Sequence, residues 1–249
     1  MWSLVKVELK KMHRCNVLYV GIVIFIFPPL LSVLQHVSMN NPSPGYGIRD
    51  IMNATIWYNM SLFMPVTLMV LGGYMMNREY VDDTLKNIFT IPISYERLMC
   101  GKLLALLVFT VIYCLYSYTI AFLVSFFFFP GGLTVSAAVS GFSQILGMGV
   151  CLLVSILPFL AWSSGKKNRY LAGSVMVFLY SFSGIPIAGR TIRDFYPISA
   201  GLSIIRYNGD VGSHNVTYHP EISMIVLLLS IILSYIIIKI QGNFRGATE

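Results

Sequence analysis

Titratable side chains are rare in this sequence, and their spacing matches no catalytic pattern. Metal-assisted hydrolysis needs clustered His and carboxylate ligands, as in H-E-x-x-H. The four histidines instead stand far apart, at His13, His36, His214 and His219. Ser183 has neither the glycine setting of a nucleophile elbow nor a histidine within its own apolar segment. The sequence therefore predicts no catalytic residue and no metal site.

A phosphate-binding loop is also missing from the sequence. Around Gly165-Lys166-Lys167, the earlier glycine and the following Ser or Thr of G-x-x-x-x-G-K-[ST] are both absent. If ATP drives this protein, a separate chain must bind it. We therefore expect a protein that is not an enzyme and that binds no cofactor of its own.

The most informative polar segment is 77–102. Its apolar residues recur at i, i+4, i+7 and i+8, which is one face of a helix. Asp82 and Asp83 lie in the first turn, where the helix dipole favours negative charge, and Pro92 ends the helix. We predict a short amphipathic helix over about 81–91, covered by lipid headgroups, by the protein's own spans or by a groove on a partner protein. Its apolar stripe consists of Val81, Leu85, Ile88 and Phe89.

The rest of the chain is built to lie in a membrane. Of its 249 residues, 56% are hydrophobic and 11% charged, whereas a soluble domain has about 25% charged residues. Runs of roughly 20 apolar residues can cross a bilayer as helices. We therefore predict an all-α integral membrane protein, folded as a single transmembrane domain over 1–249. Its six predicted spans are about 17–37, 55–76, 103–129, 134–162, 170–188 and 221–238.

The basic residues indicate the orientation of these spans. When the 17 Lys and Arg residues are assigned to alternate sides, 13 fall on one side and four on the other. By the positive-inside rule both termini are cytoplasmic. The formal charge of +7 is therefore a signal of topology, and nucleic acid is not an expected partner. The four residues on the outer side are Arg49, Arg190, Arg193 and Arg206.

Two segments outside the spans carry a pattern of their own. The N-terminus reads as a helix in the headgroup plane, with apolar residues such as Val5 and Met12 on one face and lysines on another. A simple basic anchor before the first span is the alternative. The outer segment of about 189–220 is too polar to span the membrane and too apolar to be a free linker.

Polar residues within the spans are the candidates for a translocation path. A path so poor in charge suits an amphipathic or lipid-like substrate. A stripe of small residues, Gly147, Cys151 and Ser155, permits close helix contact either within the chain or at a dimer seam. The candidate path residues are Tyr113, Tyr116, Tyr118 and Gln144.

At the 77–102 segment the chain resembles a known family, the type-2 ATP-binding cassette (ABC) exporter permeases. The resemblance implies six spans, cytoplasmic termini, an N-terminal interfacial helix, a coupling helix at about 81–91 and a partly re-entrant segment between spans five and six. Length and aromatic-rich spans are similar to permeases of the lantibiotic-immunity and bacitracin-resistance group. The chain departs from the family at Val81-Asp82-Asp83-Thr84, where many relatives have the motif E-x-G-T and this chain lacks the glycine. The residues that carry or test the resemblance are Arg78-Glu79, Val81-Asp82-Asp83-Thr84-Leu85, Ile91-Pro92-Ile93-Ser94 and Gly101-Lys102-Leu103-Leu104.

The resemblance also implies roles for the residues of this segment. Leu85, Ile88 and Phe89 would be buried anchors on an ATPase, and Asp82, Asp83 and Lys86 would orient the helix at the rim. A further residue, Glu79, would stiffen the link to the membrane by pairing with Arg78 or Lys102. An exposed interfacial carboxylate at this position is the alternative.

The expected function follows from this resemblance. The chain would be the permease subunit of an ATP-driven exporter in a bacterial plasma membrane, expelling an amphipathic peptide antibiotic or a lipid-like compound. Its partners would be cytoplasmic ABC ATPase subunits that hold ATP and Mg, a second permease copy or a homologous permease, and membrane lipid. A membrane scaffold that recruits a cytoplasmic partner without transport is the alternative.

Overall fold

The computed structural model describes residues 2–13, 15–38, 45–81, 95–207, 209 and 218–246, and every regular element in them is helical. The long helices, in chain order, are α1 (Trp2–Met12), α2 (Asn16–Ile24), α3 (Phe27–Ser38), α4 (Ile48–Tyr58), α5 (Met64–Val81), α6 (Tyr95–Phe128), α7 (Val135–Ser163), α8 (Arg169–Ala188), α9 (Pro197–Ile204) and α10 (Pro220–Gly246). A π-helical turn, Asn59–Phe63, joins α4 to α5, and 3-10 turns lie at Pro130–Gly132 and Thr191–Phe195.

Six of these segments are long and apolar enough to cross a membrane, which confirms the predicted fold class. They are the first span, Asn16–Ser38 (α2 and α3), the second, Ile48–Glu79 (α4 and α5), the third (α6), the fourth (α7), the fifth (α8) and the sixth, Pro220–Asn243 (in α10).

The second, third and fourth spans form the core of the bundle. In their most apolar stretches 61%, 56% and 56% of residues are buried, against 28% in each of the other three spans. The fifth span packs on the second, and the sixth packs on the fourth. Aliphatic side chains left exposed on these outer spans face what would be lipid. The core spans are thereby shielded from the bilayer.

Prolines lie beside the interruptions of the first and second spans. Pro28 and Pro29 open α3, directly after the break that divides the first span. Pro65 lies in the first turn of α5, just beyond the π-helical turn of the second span. A proline removes one backbone hydrogen bond and clashes with the preceding turn, so an interruption at these positions has a local cause.

The small-residue stripe of the fourth span is covered by α9 of the same chain. Ser155 Oγ donates a hydrogen bond to the carbonyl of Pro197 at 2.7 Å. Further along the stripe, Cys151 packs directly against Gly201 of α9. Of the two alternatives for this stripe, packing within the chain is therefore the one that the structure supports. The predicted outer segment 189–220 is thus anchored to the core by a helix that lies against the fourth and sixth spans.

A buried carboxylate fixes the same segment to the start of the sixth span. Asp194 is 2% exposed and accepts a hydrogen bond from Ser203, at the end of α9. It also accepts from the backbone N–H of His219 at 3.1 Å and from Ser223 Oγ at 3.4 Å. Its neighbour Arg193 stacks its guanidinium on the ring of Tyr218, 4.2 Å from the centroid. We call these residues the Asp194 cluster.

The predicted topology leads to a labelling experiment. Lys166 and Arg190 are both exposed, and they lie at opposite ends of the fifth span. With the native cysteines at 15, 100, 114 and 151 replaced by serine, we expect Arg190→Cys to react with an impermeant maleimide in intact cells. We expect Lys166→Cys to react only after the cells are opened, because the positive-inside rule places it in the cytoplasm. Equal labelling of both in intact cells would contradict the orientation.

Candidate functional site

Four charged side chains meet where α1 packs against the bundle. They come from three separate parts of the chain, and we call them the Lys102 cluster: Glu8 and Lys11 of α1, Glu79 near the end of the second span, and Lys102 near the start of the third. Glu79 and Lys102 flank the segment 82–94 on its two sides. The cluster therefore lies at the base of the loop that sequence analysis predicts to contain the coupling helix.

Lys102 is the centre of this cluster. Its side chain is 1% exposed, and its Nζ lies 2.9 Å from Glu79 Oε1 and 3.1 Å from Glu8 Oε2. The same Nζ donates to the carbonyl of Met75 at 2.9 Å. An ammonium has three protons to donate and no acceptor. Two hydrogen bonds and the ion pair with Glu79 give the ammonium three oxygen neighbours, which offset the cost of burying its charge.

The cluster as a whole is electrically neutral. Lys11, the most exposed member, lies 2.9 Å from Glu8 Oε1 and 3.6 Å from Glu79 Oε1. Two ammonium groups thus balance two carboxylates. Burial alone would raise the pKa of Glu8, but the charges of Lys102 and Lys11 and their hydrogen bonds hold that pKa below its usual value. Burial would also lower the pKa of Lys11, and the hydrogen bond and charge of Glu8 raise it instead.

Helix α1 carries Glu8 to this position on a face that is otherwise apolar. Val5, Glu8 and Met12, spaced as neighbours on one side of a helix, are all buried. The backbone of the third span comes close at Gly101, where a Cβ would lie 3.1 Å from Cβ of Leu4. A larger residue at 101 would push α1 outward and lengthen the contacts of the cluster.

Both spans that meet at the cluster are longer than a bilayer core. The helix of the third span has 34 residues, or roughly 50 Å at 1.5 Å per residue, against about 30 Å of hydrocarbon. Its first two turns, which include Lys102, can therefore extend into the headgroup layer. A buried charged cluster can be accommodated in the headgroup layer because α1 covers it from the other side.

The residues predicted for ATPase coupling divide into two groups. Glu79 is described, is 3% exposed and pairs with Lys102, one of the two partners expected from the sequence. The alternative of an exposed carboxylate at this position is wrong. Arg78, the other expected partner, donates from Nη1 to the carbonyl of Lys11 at 2.9 Å. The remaining six residues lie outside the described part of the chain: Asp82, Asp83, Leu85, Lys86, Ile88 and Phe89.

The four candidate path residues lie at separate helix contacts. Tyr113 is fully buried, stacks near Phe25 and donates to the carbonyl of Leu18 at 3.2 Å. Tyr116 is half-buried against the apolar core. The Tyr118 hydroxyl donates to the carbonyl of Ala138 at 3.3 Å, which ties the third span to the fourth.

Gln144, the fourth of these residues, joins the fourth span to the chain that follows α9. Its Nε2 donates to the carbonyls of Ile205 and Arg206, at 3.2 and 3.3 Å. Tyr113, Tyr118 and Gln144 thus each satisfy a backbone carbonyl of another segment. Their role in a translocation path remains a prediction.

Two members of the Lys102 cluster were missed by sequence reasoning. The sequence pattern gave this face of α1 as apolar, through residues such as Val5 and Met12, whereas Glu8 is buried on it beside them. Glu8 is the one acidic residue of α1, and it is flanked at i−3 and i+4 by buried apolar residues. This spacing is the feature of the sequence that could have indicated that Glu8 is buried.

Comparison with known proteins assigns the class. Residues 4–184 match the ABC-2 family of transporter proteins, and the chain belongs to that family. It is thus a multi-pass permease of the cell membrane. Over 164 residues it is 28% identical to the bacitracin transport permease protein BCRB of Bacillus licheniformis. The aligned residues cover 66% of this chain and 76% of that relative. The resemblance to type-2 exporter permeases and to the bacitracin-resistance group is confirmed.

The Lys102 cluster predicts a pH-dependent contribution of Glu8 to stability. Replacing Glu8 by Gln keeps an oxygen acceptor near Lys102 but removes one of the two negative charges beside it, while Glu79 remains, and we expect a loss of about 2 kcal/mol at pH 7. Because the pKa of Glu8 is lowered in the folded state, this contribution is full above its ordinary value of 4.5 and is lost as the pH falls through the lowered value.

The measurement is the thermal midpoint of the purified protein in detergent, as a function of pH. Wild type should exceed Glu8→Gln by several degrees at pH 7, and the two curves should converge under acid conditions. Lys10→Gln, an exposed charge on the same helix, is the matched control and should change little. A gap that persists under acid conditions, or an equal loss in the control, would show that Glu8 does not act through its charge.

Proposed function

We propose that this chain is the membrane subunit of an ATP-driven exporter that expels amphipathic peptide antibiotics of the bacitracin or lantibiotic type. ATP and Mg are bound by separate ABC ATPase subunits on the cytoplasmic side, and this chain has no ATPase activity of its own. Family membership supports the exporter, and the 28% identity to a bacitracin transport permease supports bacitracin as a substrate. A second permease, identical or homologous, completes the path.

The Lys102 cluster is the observation that carries this proposal. A force that an ATPase applies to the 82–94 segment is transmitted to the two helices that flank it. There Glu79 Oε1 and Lys102 Nζ lie 2.9 Å apart. Separating this buried pair would leave Lys102 with Glu8 and Glu79 with Lys11 as their remaining counter-charges, so each buried group would lose part of its compensation, at a cost in free energy. The ends of the second and third spans therefore move together rather than apart, and Glu8 carries α1 with them.

This coupling turns a movement at the loop into a movement of the core. The second and third spans pack on the fourth, and the fifth packs on the second. A displacement of the paired ends thus reaches most of the bundle through side-chain contacts. The low charge of the span interiors suits a cargo with an apolar part.

Drug resistance in cells provides the direct test. We expect cells that produce this chain together with its ATPase to tolerate more bacitracin than cells that produce either alone. An ATPase whose phosphate-loop lysine is replaced should abolish the gain, because export requires hydrolysis. Inverted membrane vesicles should accumulate labelled bacitracin only with ATP. A scaffold without transport would recruit the ATPase yet move no peptide, and that result would contradict our proposal.

The docking of the loop has its own test at Phe89. If Phe89 is a buried anchor on the ATPase, truncation to Ala removes about 2 kcal/mol, roughly a thirtyfold loss of affinity. Phe89→Ala should therefore reduce both ATPase co-purification and bacitracin export, while the amount of chain in the membrane stays the same. Lys86→Ala, at the predicted rim, is the control and should have a much smaller effect.

Two results would contradict this role of the loop. One is unchanged recovery of the ATPase with Phe89→Ala. The other is equal loss with both substitutions, which would indicate a general disturbance of the segment rather than an anchor.

A further inference from the structure

A polar cavity of about 530 Å³ opens at the end of the bundle opposite the Lys102 cluster. Its wall includes Asp50 in the first turn of the second span, and Glu79 lies 29 residues further along that span, roughly 40 Å away. By the predicted topology this is the outer end. A volume between about 300 and 1,000 Å³ is typical of ligand sites. The cavity is large enough for a segment of a peptide.

Hydrogen bonds between separate elements hold the wall of this cavity in place. Tyr207, which follows α9, is 3% exposed and donates to the backbone carbonyl of Asn53 at 3.0 Å. The Tyr58 hydroxyl donates to Gln35 Oε1 and so joins the second span to the first. At Gly209 a Cβ would lie 2.3 Å from the Tyr207 hydroxyl, so a larger residue there would displace this ring. The cavity is therefore formed before any ligand arrives.

The side chains of the wall indicate the chemistry of the ligand. Gln35 and Asn53 contribute carboxamides, which donate and accept hydrogen bonds as a peptide group does. Trp57 adds an aromatic surface for an apolar side chain. Arg49 and Asp50 supply one charge of each sign.

The carboxylate of Asp50 helps to decide between two kinds of ligand. Its Oδ2 accepts from the backbone N–H of Gly47 at 2.9 Å, which fixes the charge at the first turn of α4. A phosphate offers acceptors only, and the Asp50 carboxylate offsets the attraction that Arg49 would exert on it. A peptide offers donors as well as acceptors and can carry charges of both signs. The wall thus fits a peptide better than a lipid phosphate.

We propose that this cavity binds a backbone segment of the amphipathic peptide cargo on the outer side of the membrane. The proposal rests on the function proposed above and adds a place where the peptide is held. Asn53 and Gln35 pair with its peptide groups, Trp57 contacts an apolar side chain, and Arg49 and Asp50 select against cargo with only one sign of charge.

Trp57 itself provides the readout. The chain contains three tryptophans, so replacement of Trp2 and Trp162 by Phe leaves Trp57 as the single indole. This protein is reconstituted in phosphatidylcholine nanodiscs and titrated with bacitracin. We expect a saturable change in the fluorescence of Trp57. In the same background, Asn53→Ala should weaken binding about tenfold, the equivalent of 1.4 kcal/mol.

Two further variants make the result specific. Asn53→Asp keeps the shape of the side chain but loses its donor, and it should also weaken binding; the backbone carbonyl that receives the Tyr207 hydrogen bond is unchanged in both Asn53 variants. Ser140→Ala, at an exposed position near the same end of the bundle, is the matched control and should bind as the parent does. Equal affinity in all variants would overturn the proposal.

The remaining outcomes separate this proposal from the one on which it rests. If bacitracin has no effect but replacing phosphatidylcholine by phosphatidylglycerol shifts the fluorescence, the cavity holds a lipid headgroup and our inference is wrong. If bacitracin resistance in cells is intact but Trp57 reports no binding, the cavity inference fails and the export function stands. If Trp57 reports Asn53-dependent binding but cells gain no resistance, the cavity is a peptide site and export is the part that fails.

Discussion

A single ammonium group, that of Lys102, sets the requirements for one end of this protein. Removing a lone charge from water costs several kcal/mol, and only full pairing offsets that cost. The partners must come from two carboxylates and one carbonyl, and these belong to α1 and to the second span. The position of α1 against the bundle is therefore an electrostatic necessity as well as a hydrophobic one. Two helix ends separated by the 82–94 segment are held together for the same reason.

The opposite end is held by another buried charged group, the carboxylate of Asp194. The Asp194 oxygens accept hydrogen bonds from α9 and from the start of the sixth span. The Lys102 cluster instead joins α1 to the second and third spans. The bundle is thus tied at both ends by charge and in the middle by apolar packing. Such an arrangement favours movement of helices as units. The export that we propose would need this property, because loosely packed helices would absorb a displacement applied at one end.

Sequence reasoning identified the large elements because their signal is long. A run of about 20 apolar residues is distinctive, so all six spans could be found. For Glu79 the sequence left two partners open, Arg78 and Lys102, and a third alternative of an exposed carboxylate. Long-range contacts were harder to predict. The small residues around Cys151 indicated a close neighbour but not that α9 provides it. The burial of Glu8 with Lys102 could not be predicted, because a single carboxylate on an apolar helix face gives no sign of a partner that lies far away in the sequence.

The distance along the chain between Glu8 and Lys102 has a consequence for how the protein is made. They are separated by 94 residues. At ribosomal rates of about 5–20 residues per second, the Glu8 carboxylate must wait roughly 5–20 s before its partner is synthesised. During that time Glu8 has Lys11 of its own helix as a counter-charge but not Lys102, so α1 remains in contact with water or headgroups. Docking of α1 is therefore a late step of biogenesis, completed only when the third span has entered the membrane.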